Sequence, residues 1–180
     1  EDDYVRLNAG ATRIKDKPDM YFYDRPAPTI NEIIRVARKW KFNHDIKAIY
    51  IDYVQRIKGD MKLAKHERVG EIAKSLKELA RELKIPVIAL AQVNRAVEAR
   101  PDRRPRMGDL KDSGDIEQEA DVILTLYRDE VYNPDTDNKG VIELIVEKNR
   151  HGGTGCIYAE WIGAFLQVKD QRPIFESQGY

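Results

Sequence analysis

Residues 47–57, KAIYIDYVQRI, and residues 71–92, EIAKSLKELARELKIPVIALAQ, decide the fold of this 180-residue chain. The first stretch contains a short apolar run that ends at Asp52, which is the pattern of a parallel strand buried on both faces. Apolar positions over Glu67–Lys84 recur every three or four residues and predict an amphipathic helix, which is followed by a second apolar run over Val87–Ala91. A strand, a helix and a strand in this order predict a right-handed parallel crossover unit.

One polar side chain lies at the carboxyl end of each predicted strand. Asp52 ends the apolar run Ala48–Ile51, and Gln92 follows the second run. A lone carboxylate at the end of a buried run is costly unless something compensates its charge, and a magnesium ion on a nucleotide is the obvious partner. Because ligands of open α/β sheets bind beyond the carboxyl ends of the strands, both side chains are expected to face one crevice.

The two side chains can take different roles in nucleoside triphosphate hydrolysis. The carboxylate of Asp52 can hold a magnesium-bound water, and the amide of Gln92 can bind a terminal phosphate or orient an attacking water. The alternative interpretation is that Asp52 merely ends a strand and that Gln92 caps a turn.

The rest of the sequence predicts one domain in which parallel strands come first along the chain and antiparallel strands follow. Residues 1–19 are polar and irregular, and the alternation over Met20–Tyr23 indicates a short strand. Thr29 and Glu32 have the form of a capping box that starts a helix reaching about Phe42. An arginine-rich loop at 95–106 precedes further predicted strands at 122–127, 141–146, 156–161 and 165–168. This order predicts an α/β three-layer sandwich with a mainly parallel central sheet, finished by C-terminal antiparallel hairpins.

Composition excludes several classes of site. Lys plus Arg and Asp plus Glu are equal at 31 each, so that any preference for nucleic acid or an anionic membrane must be local. The single Cys156 permits no internal disulfide, and no apolar stretch approaches the roughly 18 residues of a membrane span, which favours a soluble, cytoplasmic protein. The three histidines lack partners at metal-ligand spacing, so no transition-metal site is expected.

Two further segments carry charge in patterns that suit anion binding. Lys148 and Arg150 are two residues apart at the end of a predicted strand, and their side chains are therefore expected to point to the same face. The alternative is an ordinary solvated charge pair. Residues 109–121, DLKDSGDIEQEAD, combine Lys111 with the small residue Gly114, which would let backbone amides approach a phosphate. An acidic surface loop is the alternative there.

Four blocks of the sequence together resemble the DnaB-family replicative DNA helicases. These blocks are YIDYVQRI, EIAKSLKELARELKIPVIALAQVNRAVEAR, RPRMGDLKDSGDIEQEADVILTLYRDEVYN and EKNRHGGTG, and they occur in the family's order and spacing across residues 27–168. The resemblance implies a RecA-like motor domain that assembles as a homohexameric ring around single-stranded DNA. Such rings couple the hydrolysis of ATP, with Mg²⁺, to translocation and duplex unwinding, in a bacterial or phage-infected cell. Primase and a helicase loader are possible partners.

The resemblance also implies roles for single residues. Asp52 corresponds to the Walker B carboxylate that holds magnesium through water, and Gln92 to the residue that links the terminal phosphate to the DNA contact. Lys148 and Arg150 match the basic pair that the family inserts into the neighbouring subunit's ATP site, where an arginine finger contributes roughly 10³ to 10⁵ in rate.

Residues Lys111, Asp112 and Gly114 occupy the positions of the family's central-channel loop, which grips the DNA backbone. The family more often has Arg, Glu and Gly there. Because lysine cannot make the bidentate phosphate contact that arginine makes, the strength of the grip at Lys111 is expected to differ.

The 180 residues lack the segment of the family's motor domain that carries the phosphate-binding loop. No segment has the form G-x-x-x-x-G-K-[ST], and the resemblance assigns the family's Walker A loop and its water-activating glutamate to positions upstream of Glu1. The sequence therefore predicts part of a longer chain that by itself binds ATP weakly and hydrolyses none. The alternatives are a non-catalytic DNA-binding or loader-binding module, and another RecA-like ring ATPase or recombinase.

Overall fold

The computed structural model describes residues 2–15, 20–110 and 114–170. Its helices are α1 (Asp2–Lys15), α2 (Ile30–His44), α3 (Lys65–Leu83) and α4 (Gly114–Glu119). Its strands are β1 (Ile49–Ile51), β2 (Val87–Ala89), β3 (Val122–Tyr127), β4 (Val141–Asn149), β5 (Gly155–Ile162) and β6 (Gln167–Asp170). None of the helices within these ranges combines the length and the hydropathy needed to cross a bilayer.

The predicted parallel strand, helix and strand are confirmed. Strand β1 pairs with β2 in parallel, with Ile51 opposite Ala89, and α3 connects the two strands. The apolar stripe of α3 forms the centre of the core, where Leu79 is only 1% exposed. The buried cluster around this stripe consists of Val54, Ile57, Val69, Ile72 and Leu76. Burial of one continuous stripe therefore fixes α3 against the parallel pair.

The predicted antiparallel hairpins are also confirmed. Strands β3, β4, β5 and β6 form a separate four-stranded sheet in that order, and each neighbouring pair is antiparallel. The expected capping box is present at the start of α2, where Thr29 and Glu32 satisfy each other's backbone amides. The chain is thus parallel α/β in its first half and antiparallel in its second half.

The irregular segment predicted at residues 1–19 is wrong over most of its length, because residues 2–15 form the helix α1. Its side chains are largely exposed, as at Tyr4 and Leu7. Good helix formers such as Leu7, Ala9 and Ala11 favour a helix here although no side chain described over residues 4–12 is buried, and the polar character of the segment concealed this preference. Residues 16–19 lie outside the described ranges.

The short strand predicted at Met20–Tyr23 is also wrong, since these residues form no strand and pair with none in the described ranges. Tyr21 stacks on His44 of α2, with ring centroids 4.2 Å apart, and Tyr23 meets the edge of Trp40. Phe22 points away and is 72% exposed. The alternation in the sequence is therefore real, but it reflects packing on a helix rather than membership of a sheet.

Burial of β1 on both faces is a third wrong expectation. Ile51 and Val87 pack against the core of α3, whereas Tyr50 on the opposite face of β1 is 77% exposed. In consequence Asp52 is exposed rather than buried, and its charge is solvated. The cause is that helices cover only one face of the parallel pair within the described residues.

Gly70 permits the close contact between α3 and α4. A Cβ atom at this position would lie 2.7 Å from the Cβ of Asp115, a separation that real side chains essentially never show. We predict that Gly70→Ala pushes α4 away from α3 and lowers the free energy of unfolding by about 1–3 kcal/mol. Urea unfolding of the chain measures this change.

Gly10→Ala is the matched control, because Gly10 lies in α1 with nothing within 4 Å of the added carbon. That substitution is expected to raise helix stability by about 0.5–1 kcal/mol. A Gly70→Ala chain as stable as the unsubstituted chain would contradict the proposed close packing.

Candidate functional site

The structure brings Asp52 and Gln92 to the same edge of the parallel pair. The amide of Leu90 donates to the carbonyl of Ile51 at 2.9 Å, and the amide of Val54 donates to the carbonyl of Leu90, also at 2.9 Å. The chain leaves both strands at this point, and both predicted site residues are exposed there. Both residues thus follow neighbouring strands at one edge, whereas their facing one crevice and their roles stay predictions.

Gln55 connects the two strand ends, and sequence reasoning missed it. Its side-chain oxygen Oε1 accepts a hydrogen bond of 3.2 Å from the backbone amide of Gln92. Its Nε2 atom is buried and has no hydrogen-bond partner within the described ranges. The sequence signal that could have identified Gln55 is a polar residue between the buried Val54 and Ile57, because buried side-chain amides usually have a hydrogen-bond partner or a functional role.

The segment from Gln92 to Leu110, here called the arm, folds back on itself. Val93 forms an antiparallel bridge with Leu110, and the amide of Asn94 donates to the carbonyl of Asp109 at 2.7 Å. The two ends of the arm therefore lie side by side. In the sequence, Gln92 directly precedes Val93 of this bridge, and position 111 directly follows Leu110.

An ion pair fastens the arm to the antiparallel sheet. The guanidinium of Arg104 donates from Nε and Nη2 to both oxygens of Glu143, at 2.7 and 2.6 Å, and lies 4.5 Å from the ring centroid of Tyr127. This hydrogen bonding raises the pKa of Arg104. Burial, followed by the hydrogen bond to Asp129, raises the pKa of Tyr127 to about 12, and the ring under the guanidinium therefore stays neutral.

The expectation of an exposed arginine-rich loop at 95–106 is thus wrong in part. Val97 in the arm is only 4% exposed, and Arg100 pairs with Asp109 at 2.6 Å. The partner Glu143 lies 39 residues from Arg104, so that no local pattern in the sequence reveals the pair. The arm is consequently a folded element, held at its base and in its middle.

The predicted DNA loop is only partly within the described ranges. Lys111 and Asp112 lie outside them, whereas Gly114 is exposed and begins α4. Helix α4 packs on α3, and Ile116 is partly buried against the core cluster. The described residues that flank positions 111–113 are therefore held in place, Leu110 by its bridge to Val93 and α4 by its packing on α3.

Lys148 and Arg150 lie at the carboxyl end of α4. The Nζ of Lys148 donates to the carbonyl of Glu117 at 2.6 Å, and the guanidinium of Arg150 donates to the carbonyl of Gln118. The expectation that both side chains reach one location is confirmed, although the negative group they meet here is a helix terminus. Their role at a neighbouring subunit stays a prediction.

The donors at the strand edge fit only part of a nucleotide. The exposed carboxylate of Asp52 suits magnesium held through water, and the exposed amide of Gln92 suits a phosphate oxygen. A polar cleft of about 430 Å³ opens beside Gln92 and is lined by Val93, Asn94 and Arg95. Within the described ranges, no group of three or more Asp, Glu, His or Cys side chains could hold a metal ion directly. The phosphate-cradling loop is absent from the sequence itself.

Known proteins of one kind match this chain. Residues 1–170 match the protein family described as DnaB-like helicase C terminal domain. The replicative DNA helicase DnaB of Geobacillus stearothermophilus is 44% identical over 162 residues, which are 88% of this chain and 36% of that protein. The chain thus spans about a third of the length of this curated relative.

Two solved structures share the fold. The first is described as an ATPase domain and has a TM-score of 0.90 at 31% identity, covering 96% of this chain and 61% of the other. The second, titled as a DnaB-like replicative helicase and its interactions with primase, has a TM-score of 0.88, also at 31% identity, and covers 94% of this chain and 41% of the other. The expected RecA-like fold class is thereby confirmed.

Proposed function

This chain belongs to the family of DnaB-like helicase C-terminal domains, and we propose that it supplies part of the ATP-driven motor of a replicative DNA helicase. The motor is a homohexameric ring on single-stranded DNA, and the ring couples ATP hydrolysis to translocation and strand separation. Primase and a helicase loader are its proposed partners, and the cytoplasm is its proposed location.

One observation carries the proposal, namely the bridge between Val93 and Leu110. The bridge pairs the residue after Gln92, which is proposed to bind the terminal phosphate, with the residue before the loop that is proposed to contact DNA. A change at one end of the arm is therefore expected to affect the other end. Packed, hydrogen-bonded elements of this kind can carry energetic coupling between two sites.

Each named side chain has a proposed task in this motor. Asp52 would hold Mg²⁺ through a water molecule, and bound Mg²⁺ would neutralise charge on the phosphates. Gln92 hydrogen-bonds the terminal phosphate and turns with the arm. Lys111, Asp112 and Gly114 form the loop that contacts the DNA backbone, where small residues let amides approach phosphate.

Lys148 and Arg150 are proposed to act at the ATP site of the neighbouring subunit. Both are cationic, Lys148 lies near the end of β4 and Arg150 directly follows the strand, and Arg150 keeps 40% of its side chain exposed. Positive charge aimed at the transferring phosphoryl group stabilises the charge that develops in the transition state. The Arg150 guanidinium contacts Gln118 and Asp121 of its own chain and stays partly exposed, which leaves donors available for such a phosphate.

A hybrid ring tests the proposed function. It consists of the Geobacillus stearothermophilus helicase with residues 1–170 of this chain in place of the segment they match. The hybrid is expected to hydrolyse ATP and to displace a DNA strand in one direction, whereas the 180-residue chain alone shows no turnover, because the phosphate-binding loop is supplied only by the hybrid.

Two results would contradict the proposal. Turnover by the chain alone would show that its chemistry needs no phosphate loop. A hybrid that assembles and binds DNA without hydrolysing ATP would favour the non-catalytic DNA-binding or loader-binding module. Filament formation without unwinding would favour a recombinase.

Arg150→Ala in the hybrid is expected to lower the ATPase kcat by about 10³-fold or more, since the guanidinium acts on the transition state. The affinity of a single subunit for ATP should stay nearly unchanged, because the residue acts across an interface. Steady-state turnover and binding of a fluorescent nucleotide to dissociated subunits measure the two effects. Arg38→Ala, at an exposed ion pair with Glu82, is the control. Equal losses of turnover and of affinity would count against the assignment.

Lys111→Ala in the hybrid is expected to weaken binding of single-stranded DNA without altering base preference, because phosphate contacts carry no sequence information. The slope of log affinity against log salt should shrink by about 0.7 for the lost contact. Titrations of several homopolymers at a series of salt concentrations measure it. Lys47→Ala, at a lysine 79% exposed and paired with Asp45, is the control. A changed base preference would indicate base reading instead.

A further inference from the structure

Asp121 occupies a junction of three elements and has no role in the motor as proposed so far. It is the last residue of the block SGDIEQEAD and lies between α4 and β3. One carboxylate oxygen pairs with Nζ of Lys77 on α3, and the other lies 3.8 Å from Nη1 of Arg150. Its backbone carbonyl accepts a hydrogen bond of 2.9 Å from the amide of Arg150.

The Lys77 side chain makes this carboxylate a fixed anchor. Lys77 is only 14% exposed and belongs to the helix that carries the core stripe. The hydrogen bond from Lys77 lowers the pKa of Asp121, and the charges of Lys77 and Arg150 add to that effect, which keeps the carboxylate ionised. The position of the anionic group is therefore set by α3, the helix that carries the core stripe.

The Arg150 guanidinium is held on two sides and open on the others. It donates to the carbonyl of Gln118 at the end of α4 and faces the carboxylate of Asp121. A guanidinium has five N–H donors, and these two contacts leave donors free for a phosphate. Because an arginine side chain carries about 2 kcal/mol of rotamer entropy, holding it beforehand lowers the cost of ordering it at a nucleotide.

The same contacts connect Arg150 to the DNA loop. Helix α4 begins at Gly114, directly after the 111–113 segment, and ends beneath Lys148 and Arg150. Its length of six residues leaves little more than one turn between the two ends. Gly114, at the start of α4, and the carbonyls that accept from Lys148 and Arg150 therefore belong to the same short helix.

We propose that Asp121 is a positioning residue that holds the Arg150 guanidinium in the orientation needed at the neighbouring subunit's nucleotide. The proposal rests on the proposed function, since it assumes that Arg150 is an arginine finger. Asp121 does not touch the nucleotide and acts only through Arg150. Its removal should therefore cost turnover only where Arg150 is present.

The test is a double-mutant cycle in the hybrid ring with Asp121→Asn and Arg150→Ala. Asp121→Asn removes the charge at constant size and is expected to lower kcat between about tenfold and about 100-fold, with KM for ATP unchanged, because a misplaced group costs transition-state stabilisation. In the Arg150→Ala background the same substitution should change kcat less than twofold. Glu82→Gln, which removes a carboxylate from an exposed ion pair of α3, is the matched control and should leave kcat unchanged.

A second variant keeps the test decisive if Asp121→Asn impairs folding. Asp121→Glu keeps the charge and is expected to retain more than half of the kcat, whereas a merely structural role would make both substitutions equally harmful in both backgrounds. Additive losses in the cycle, or a normal kcat for Asp121→Asn, would overturn the inference. An Arg150→Ala ring with full activity would instead refute the proposed finger itself, so the two failures are distinguishable.

Discussion

The parallel pairing of β1 with β2 through α3 is the constraint on which the rest of the structure depends. A parallel pair cannot be closed by a tight turn and needs a crossover, which α3 supplies by burying its apolar stripe down to 1% exposure at Leu79. Because the two strands run in the same direction, their carboxyl ends lie at the same edge of the pair. Asp52 and Gln92 lie exposed at this edge as a consequence of topology, and the partly buried Gln55 hydrogen-bonds the backbone of Gln92 there.

From this edge a continuous set of short elements leads to every other proposed site. The arm returns on itself at the Val93–Leu110 bridge, the 111–113 segment follows, and α4 ends under Lys148 and Arg150. The Arg104–Glu143 pair holds the arm to the sheet, and the Lys77–Asp121 pair holds the far end of α4 to α3. The described elements on either side of residues 111–113 thus connect the residues proposed for phosphate sensing to those proposed for the neighbouring subunit's site, and packed elements of this kind can carry energetic coupling in the proposed motor.

Sequence patterns predicted the elements whose signals are local. The three- and four-residue period of α3 and the capping box at Thr29 and Glu32 are properties of consecutive residues, and both are present. Wrong expectations arose where the outcome depends on what covers a surface. The apolar run before Asp52 indicated burial on both faces, yet Tyr50 is exposed because helices lie on one face only in the described ranges.

Contacts between distant residues were the least predictable part of the site. Glu143 meets Arg104 across 39 positions, and Asp121 meets Lys77 across 44, so that no local period marks either pair. The resemblance of whole blocks identified Asp52, Gln92, Lys148 and Arg150 as candidates, but it carried no information about Gln55 or Asp121.

The structure of the hybrid ring with Mg²⁺ and a slowly hydrolysed ATP analogue tests the central claim most directly. We predict that Asp52 lies one water molecule from the metal ion and that the amide of Gln92 lies within about 3.2 Å of the terminal phosphate. We also predict that the Arg150 guanidinium of each subunit reaches the nucleotide held by its neighbour. A nucleotide bound away from the carboxyl ends of β1 and β2, or an Arg150 that contacts the nucleotide of its own subunit, would contradict this claim.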